Sequence, residues 1–177
     1  MIADLVLEEV SDRHENEILL VGNPRQYRAD CHAGQFKIGA ANRVGKKLDL
    51  ELIAARINEG EFFGYPRQKW LNVIFVDGNG VVSTILFKTE SLDNFLELHR
   101  QTVAAGETLL GKCLQASMSK RSSRENGQGY YAVEFSVAGE GAYSEAIIRF
   151  RQETVLEGIY RSLLAKPDTD QAEPQTA

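Results

Sequence analysis

Two apolar runs, "WLNVIFVD" (Trp70 to Asp77) and "VVSTILFK" (Val81 to Lys88), flank the turn Asp77-Gly78-Asn79-Gly80. Runs of strand length, rich in Val, Ile, Leu and Phe and separated by Gly and Asn, predict a β-hairpin. The turn residues accept the left-handed backbone that a tight reversal needs. This is the firmest structural signal in the chain, and the remaining pattern is read around it.

Before the hairpin, Leu48, Leu50 and Leu52 alternate with Lys47, Asp49 and Glu51. A period of two predicts a half-buried strand with Asp49 and Glu51 on its solvent face. A helix over residues 48–57 competes, because Leu48, Leu52 and Ala55 also fall at helical spacing. "GEFFGYPRQ", with two Gly, one Pro and three aromatics, is a loop. After the hairpin, Ser91 is a candidate N-cap, followed by an apolar stripe of Leu92, Phe95, Leu96 and Leu98 or His99 that Gly106 ends. "TLLGKCLQASMSKRSS" and "GYYAVEFSVAG" predict a second pair of strands. In the latter, Tyr131, Val133, Phe135 and Val137 share one face and Tyr130, Ala132, Glu134 and Ser136 the other. Residues 144–166 predict one further helix, with Ile148, Val155, Leu156, Ile159 and Leu163 as its apolar side and Pro167 as its stop. The expected organisation is an acidic N-terminal extension (1–24), a barrel domain (25–140), a C-terminal helix (141–166) and a disordered acidic tail (167–177).

The chain has 177 residues, 43% hydrophobic and 25% charged, the composition of a soluble globular protein with one main domain. It contains no apolar run of membrane-spanning length, and "MIADLVLEEV" lacks the features of a signal peptide, so a cytoplasmic location is expected. Cys31 and Cys113 lie far apart and form neither a disulfide framework nor a zinc ribbon; buried free thiols are expected, with a single bridge as the alternative. The formal charge of -5 hides an asymmetry. Residues 1–24 carry one Arg against six acids, residues 25–124 fifteen Lys and Arg against ten acids, and residues 125–177 four against nine. A basic middle suits a polyanion partner, because clustered cations set the local potential.

Enzymatic readings find little support. His14, His32 and His99 are scattered without partners at triad or metal-ligand spacing, and "GAANRVGKK" has the wrong glycine interval for a phosphate loop. The expectation is a non-enzymatic protein with no catalytic residue, no metal and no cofactor.

The order strand, strand, strand, helix, strand, strand over residues 36–138 resembles the oligonucleotide/oligosaccharide-binding (OB) fold. The resemblance implies a five-stranded antiparallel barrel with one helix between strands 3 and 4, here followed by a C-terminal helix. It also implies a binding face on strands 2 and 3 between the loops that join strands 1 to 2 and 4 to 5. Those loops correspond to "EFFGYPRQKW" and "SKRSSRENGQG", where aromatic residues and cations are interleaved as single-stranded nucleic acid requires. Lys46, Lys47, Arg67, Lys69, Lys120, Arg121 and Arg124 are the expected phosphate contacts, the last three on a mobile loop. Tyr65, Trp70 and Tyr130 are the expected stacking surfaces, and Tyr131 faces the core. Single-stranded DNA is the expected ligand, with little sequence preference. The alternative is a protein-interaction or assembly module, a homo-oligomer formed through its strands or its C-terminal helix.

Overall fold

A computed structural model describes residues 18–20 and 23–165, with side chains up to residue 161. Most of the predicted N-terminal extension and the whole of the predicted tail lie outside the described residues. The fold is mainly β. Eight strands, β1 (Arg25–Asp30), β2 (Gln35–Ile38), β3 (Asn42–Gly45), β4 (Lys47–Gly60), β5 (Gln68–Val76), β6 (Val82–Lys88), β7 (Lys112–Ser122) and β8 (Gly129–Glu140), form one sheet. They run in the order β3-β2-β1-β6-β5-β4-β7-β8, curled into a half-barrel. The described residues contain three helices: α1 (Thr89–Ala104), α2 (Ser144–Glu153) and α3 (Leu156–Ala165). No helix among the described residues is long and apolar enough to cross a membrane.

The predicted hairpin is β5–β6, closed by the Val76 to Val82 pair. Asp77 fixes its turn: the buried carboxylate accepts the backbone N–H groups of Asn79 at 2.9 Å and Val81 at 3.0 Å. β5 is buried on both faces. Leu71, Val73 and Phe75 join the main core with Leu48, Leu50, Phe87 and Leu114, while Ile74 and Val76 meet Ile147, Ile159 and Tyr160 of α2 and α3. Burial on both faces is why this stretch reads as a continuous apolar run rather than an alternation.

β4 is a strand, so the helical alternative for residues 48–57 fails. A bulge between Leu52 and Ala54 adds one residue and shifts the phase. Leu48, Leu50 and Leu52 face the main core, whereas Ile53 and Ala54 face the C-terminal helices. Glu51, expected on the solvent face, is instead 4% exposed. Both its carboxylate oxygens accept the backbone N–H of Tyr143, at 3.1 and 3.0 Å, where the positive end of the α2 dipole lies.

Five strands were expected, and the described residues hold eight. β1, β2 and β3 were unforeseen, and β1 pairs in parallel with β6 through Arg25 to Ser83 and Gln26 to Thr84. α1 packs against β5, β6 and β8, so it bridges the two arms of the curled sheet. Its C-terminus follows the prediction. Gly106 has φ 75°, its N–H reaches the Val103 carbonyl, and the Glu107 N–H reaches that of Thr102, the paired bonds of a Schellman cap.

Ser91 is not the N-cap; the helix begins two residues earlier. Its Oγ lies inside the first turn and accepts the Val133 N–H of β8 at 2.9 Å. Asn94 Nδ2 donates to the Val133 carbonyl at 2.9 Å, and the Tyr131 N–H donates to the Cys31 carbonyl at 2.9 Å. The free edge of β8 is thus closed by two side chains and one turn carbonyl rather than by a strand. The single helix expected over residues 144–166 is two helices, broken where Thr154 turns extended (φ -110°, ψ 135°). Adjacent β-branched Thr154 and Val155 weaken the helix at that point.

Candidate functional site

A groove of about 580 Å³ opens where β1, the end of β6, the start of α1 and the start of β8 converge under the β4–β5 loop. Its floor is Trp70 and its register partner Lys88, neighbours on the face of β5–β6 opposite the main core. The loop supplies Phe63 and Tyr65, β1 supplies Arg28 and Asp30, β2 supplies Lys37, and β8 supplies Tyr130 and Tyr131.

Trp70 organises the loop. Its Nε1 donates to the Gly60 carbonyl at 3.1 Å, and the rings of Phe62, Phe63 and Tyr65 meet it edge-on at centroid distances of 5.5, 5.8 and 6.0 Å. It is only 2% exposed, which corrects the expectation of a stacking surface: Trp70 is the pillar on which the accessible rings lean. Tyr65 and Tyr130 both line the groove. Tyr130 is exposed and donates its O–H to Glu90 Oε2 at 2.8 Å. Tyr131 is half-buried, with its ring against Gly34; a Cβ at Gly34 would lie 2.6 Å from the ring, and φ there is +72°. Both requirements call for glycine.

The charge balance of the groove follows from its pairings. Asp30 is bonded by Lys37 Nζ at 2.7 Å and by the Ala33 N–H at 2.9 Å. Burial alone would raise its pKa, but the ammonium and the turn N–H groups outweigh this and hold it below the usual range. Glu90 is likewise held low, first by the Tyr130 hydroxyl and then by Arg121. Both carboxylates of the groove are therefore engaged. Lys88 has no ion-pair partner among the described residues, and burial pushes its pKa down. Its Nζ sits 3.1 Å from the centroid of the Tyr65 ring. Burial raises the Cys31 thiol beside it, so this cysteine stays protonated and unreactive near neutral pH. Cys31 and Cys113 are both free thiols, half-buried rather than fully buried.

The expected cations are dispersed. Lys120 and Arg121 stand on β7, opposite Tyr131 and Tyr130, rather than on a loop; the turn spans only residues 123–128. Arg121 is bound to Glu90, with Nε at 3.0 Å, and to Glu134. That double pairing corrects its assignment as an available phosphate contact. Arg124 is exposed on the turn, and Lys120 is exposed at the end of β7. Lys46 and Lys47 are exposed at the β3–β4 junction, away from the groove lining, as are Arg67, 3.7 Å from Glu59, and Lys69. Arg28, Lys37, Phe63 and Lys88 were missed. The signal for Lys88 was a lone cation ending an apolar strand, and for Arg28 and Lys37 there was none, because β1 and β2 were unread.

Two non-glycine residues among those described have positive φ, Phe63 at 54° and Thr89 at 49°, and both line the groove. Backbone strain of this kind costs on the order of 1–3 kcal/mol per residue and gathers where a site is held in a fixed shape. The described residues contain no group of His, Cys, Asp and Glu arranged to hold a metal. Comparison of the chain with protein-family models, curated proteins and solved structures finds no match.

Proposed function

We propose that this protein binds single-stranded nucleic acid in the groove beneath the β4–β5 loop, on an OB-like barrel. β4 pairs with both β5 and β7, β5 with β6, β7 with β8, and α1 stands between β6 and β7. These ladders support the reading because a five-stranded Greek-key barrel shares them; here β6 pairs with β1 instead of β8, so the sheet stays open as a half-barrel. In such a barrel the ligand lies on the second and third strands between two loops. Here β5, β6 and the β4–β5 loop border the groove, β8 supplies its far side, and the β7–β8 turn does not line it. The observation that carries the reading is the composition of the groove. Phe63, Tyr65 and Tyr130 present rings, while Arg28 and Lys88 bring cations, within one cleft whose carboxylates are already paired, Asp30 by Lys37 and Glu90 by Tyr130 and Arg121. Rings take bases and cations take phosphates, without dependence on sequence.

The proposed contacts lie inward of the turn at residues 123–128, with Lys120 and Arg124 as outer phosphate contacts. Titration with oligo-dT, oligo-rU and duplex DNA at two salt concentrations tests the reading. Single strands should bind in preference to duplex, with log K falling by about 0.7 per tenfold salt for each phosphate engaged. Absence of binding, or binding that ignores salt, overturns it. The assembly reading draws on Ile148 and Val155, apolar and 58% and 76% exposed on and beside α2. Sedimentation of the wild type and an Ile148→Glu/Val155→Glu variant tests it: a monomer in both cases removes it.

A further inference from the structure

Two rings of the β4–β5 loop carry cations of the chain itself on their faces. Arg28 Cζ lies 4.9 Å from the Phe63 centroid, and Lys88 Nζ lies 3.1 Å from that of Tyr65 and 5.9 Å from that of Trp70. The Lys88 contact is the tighter, and its ammonium has no carboxylate partner among the described residues. A half-buried ammonium without a counter-ion is held by the ring quadrupole, which is a weaker substitute for water or an anion. The same two places hold the strained backbone: Phe63 on the loop, and Thr89 directly after Lys88. Each partner of the contact is therefore presented from a constrained segment rather than a relaxed one.

We propose that Lys88 and Tyr65 form a self-occupied latch, in which the ammonium covers the ring until a nucleotide displaces it by offering a phosphate to Lys88 and a base to Tyr65. The proposal rests on the nucleic-acid reading of the groove. One nucleotide supplies both replacements at once, so neither partner is left unsatisfied in the complex. A lone anion would take the ammonium but leave the ring bare, and a lone aromatic ring would leave the ammonium buried without a partner. The latch thus selects a ligand that carries a flat ring and a phosphate at nucleotide spacing. It also keeps an apolar ring face covered when no ligand is present.

Nuclear magnetic resonance of the full chain reads the latch directly. In the free protein the Lys88 ε-methylene protons should resonate upfield of their ordinary position, through the ring current of Tyr65, and Tyr65→Leu should abolish that shift. Saturating oligo-dT should return them to the ordinary position in the wild type. Lys88→Met should flatten the slope of log K on log salt by about 0.7, the loss of one phosphate contact. Because Tyr65 is unmasked in that variant, its affinity should match or exceed the wild type at high salt. Ordinary Lys88 shifts in the free protein, or an upfield shift that persists in a complex with oligo-dT, overturns the latch and leaves the nucleic-acid reading standing. Failure of oligo-dT and oligo-rU to bind at all removes that reading and the latch with it.

Discussion

Replacing Asp77 should unseat the strand that walls the groove. The Asp77 side chain is 1% exposed and accepts Arg25 Nη1 and the Tyr27 O–H, each at 2.8 Å, as well as the two turn N–H groups. β1 is otherwise held on β6 by only two register pairs. Removing one partner of a buried ion pair costs about 3–5 kcal/mol. Arg25 is 33% exposed and can recover some hydration, which lowers the figure, whereas the Tyr27 hydroxyl and the turn N–H groups lose an acceptor, which raises it. Asp77→Ala should therefore cost about 4 kcal/mol. With a urea m-value of about 2 kcal/mol/M, the unfolding midpoint should fall by about 2 M. Asp77→Asn keeps an acceptor for the turn and should cost roughly half as much. In an Arg25→Met background the cost of Asp77→Ala should shrink by at least about 1 kcal/mol, the coupling expected of contacting residues. Because Arg28 and Asp30 line the groove from the same strand, Asp77→Ala should also weaken any ligand that Asp77→Asn still binds. A loss below about 1 kcal/mol, or one undiminished in the Arg25→Met background, refutes the reasoning.

Arg121→Ala should leave the salt dependence of single-strand binding unchanged, since Glu90 and Glu134 already hold the guanidinium. A slope flattened by about 0.7 would show that it leaves them for a phosphate. Gly34→Ala should lose about 2 kcal/mol in urea denaturation, from a left-handed alanine and a displaced Tyr131 ring, and should reduce affinity; a neutral substitution would contradict the close approach. Tyr27, raised by burial and by Asp77 to about 12 from 10.0, keeps a proton that the unfolded chain releases. Its contribution should be complete below pH 10 and disappear as pH rises through about 12. Urea midpoints measured across that window should fall less steeply for Tyr27→Phe, and equal slopes would count against the bond.

What the sequence disclosed was local. The Asp77 to Gly80 turn and the glycine stop of α1 each rest on bonds within a few residues, and each was read correctly. The period of two in β8 held only in part, since Val133 is buried as expected but Ala132 is buried too, Val137 is exposed and Tyr131 lines the groove. What stayed hidden depends on distant partners. "RQYRAD" shows little apolar rhythm, because the core face of β1 is only Tyr27 and Ala29, and the strand is anchored as well by Asp77 and by parallel pairing with a strand 58 residues away. Glu51 looks like a solvent residue until the bulge after Leu52 and the start of α2 are placed beside it. The cations of the basic segment could be counted, but Glu90 and Glu134, which occupy Arg121, are 31 and 13 residues away. The aromatic loop was located while its roles were exchanged. A tryptophan opening a strand buried on both faces is drawn inward, and the burden of exposure passes to Tyr65 and Phe63.

The closure of β8 by Ser91, Asn94 and the Cys31 carbonyl has a kinetic meaning. The hairpin of β5 and β6 closes over a five-residue turn and β7–β8 over six, whereas this seam joins positions roughly 40 and 100 residues apart along the chain. Loop-closure entropy delays such contacts until the local ladders exist, so the seam forms late in folding. Three isolated bonds lack the mutual support of a ladder, and by the same logic they open before the sheet does. The amide protons of Tyr131 and Val133 sit on that seam, one of them in the wall of the groove. The molecule thus carries its groove along the seam that opens first, and a ligand that gripped both sides would act as the missing rung.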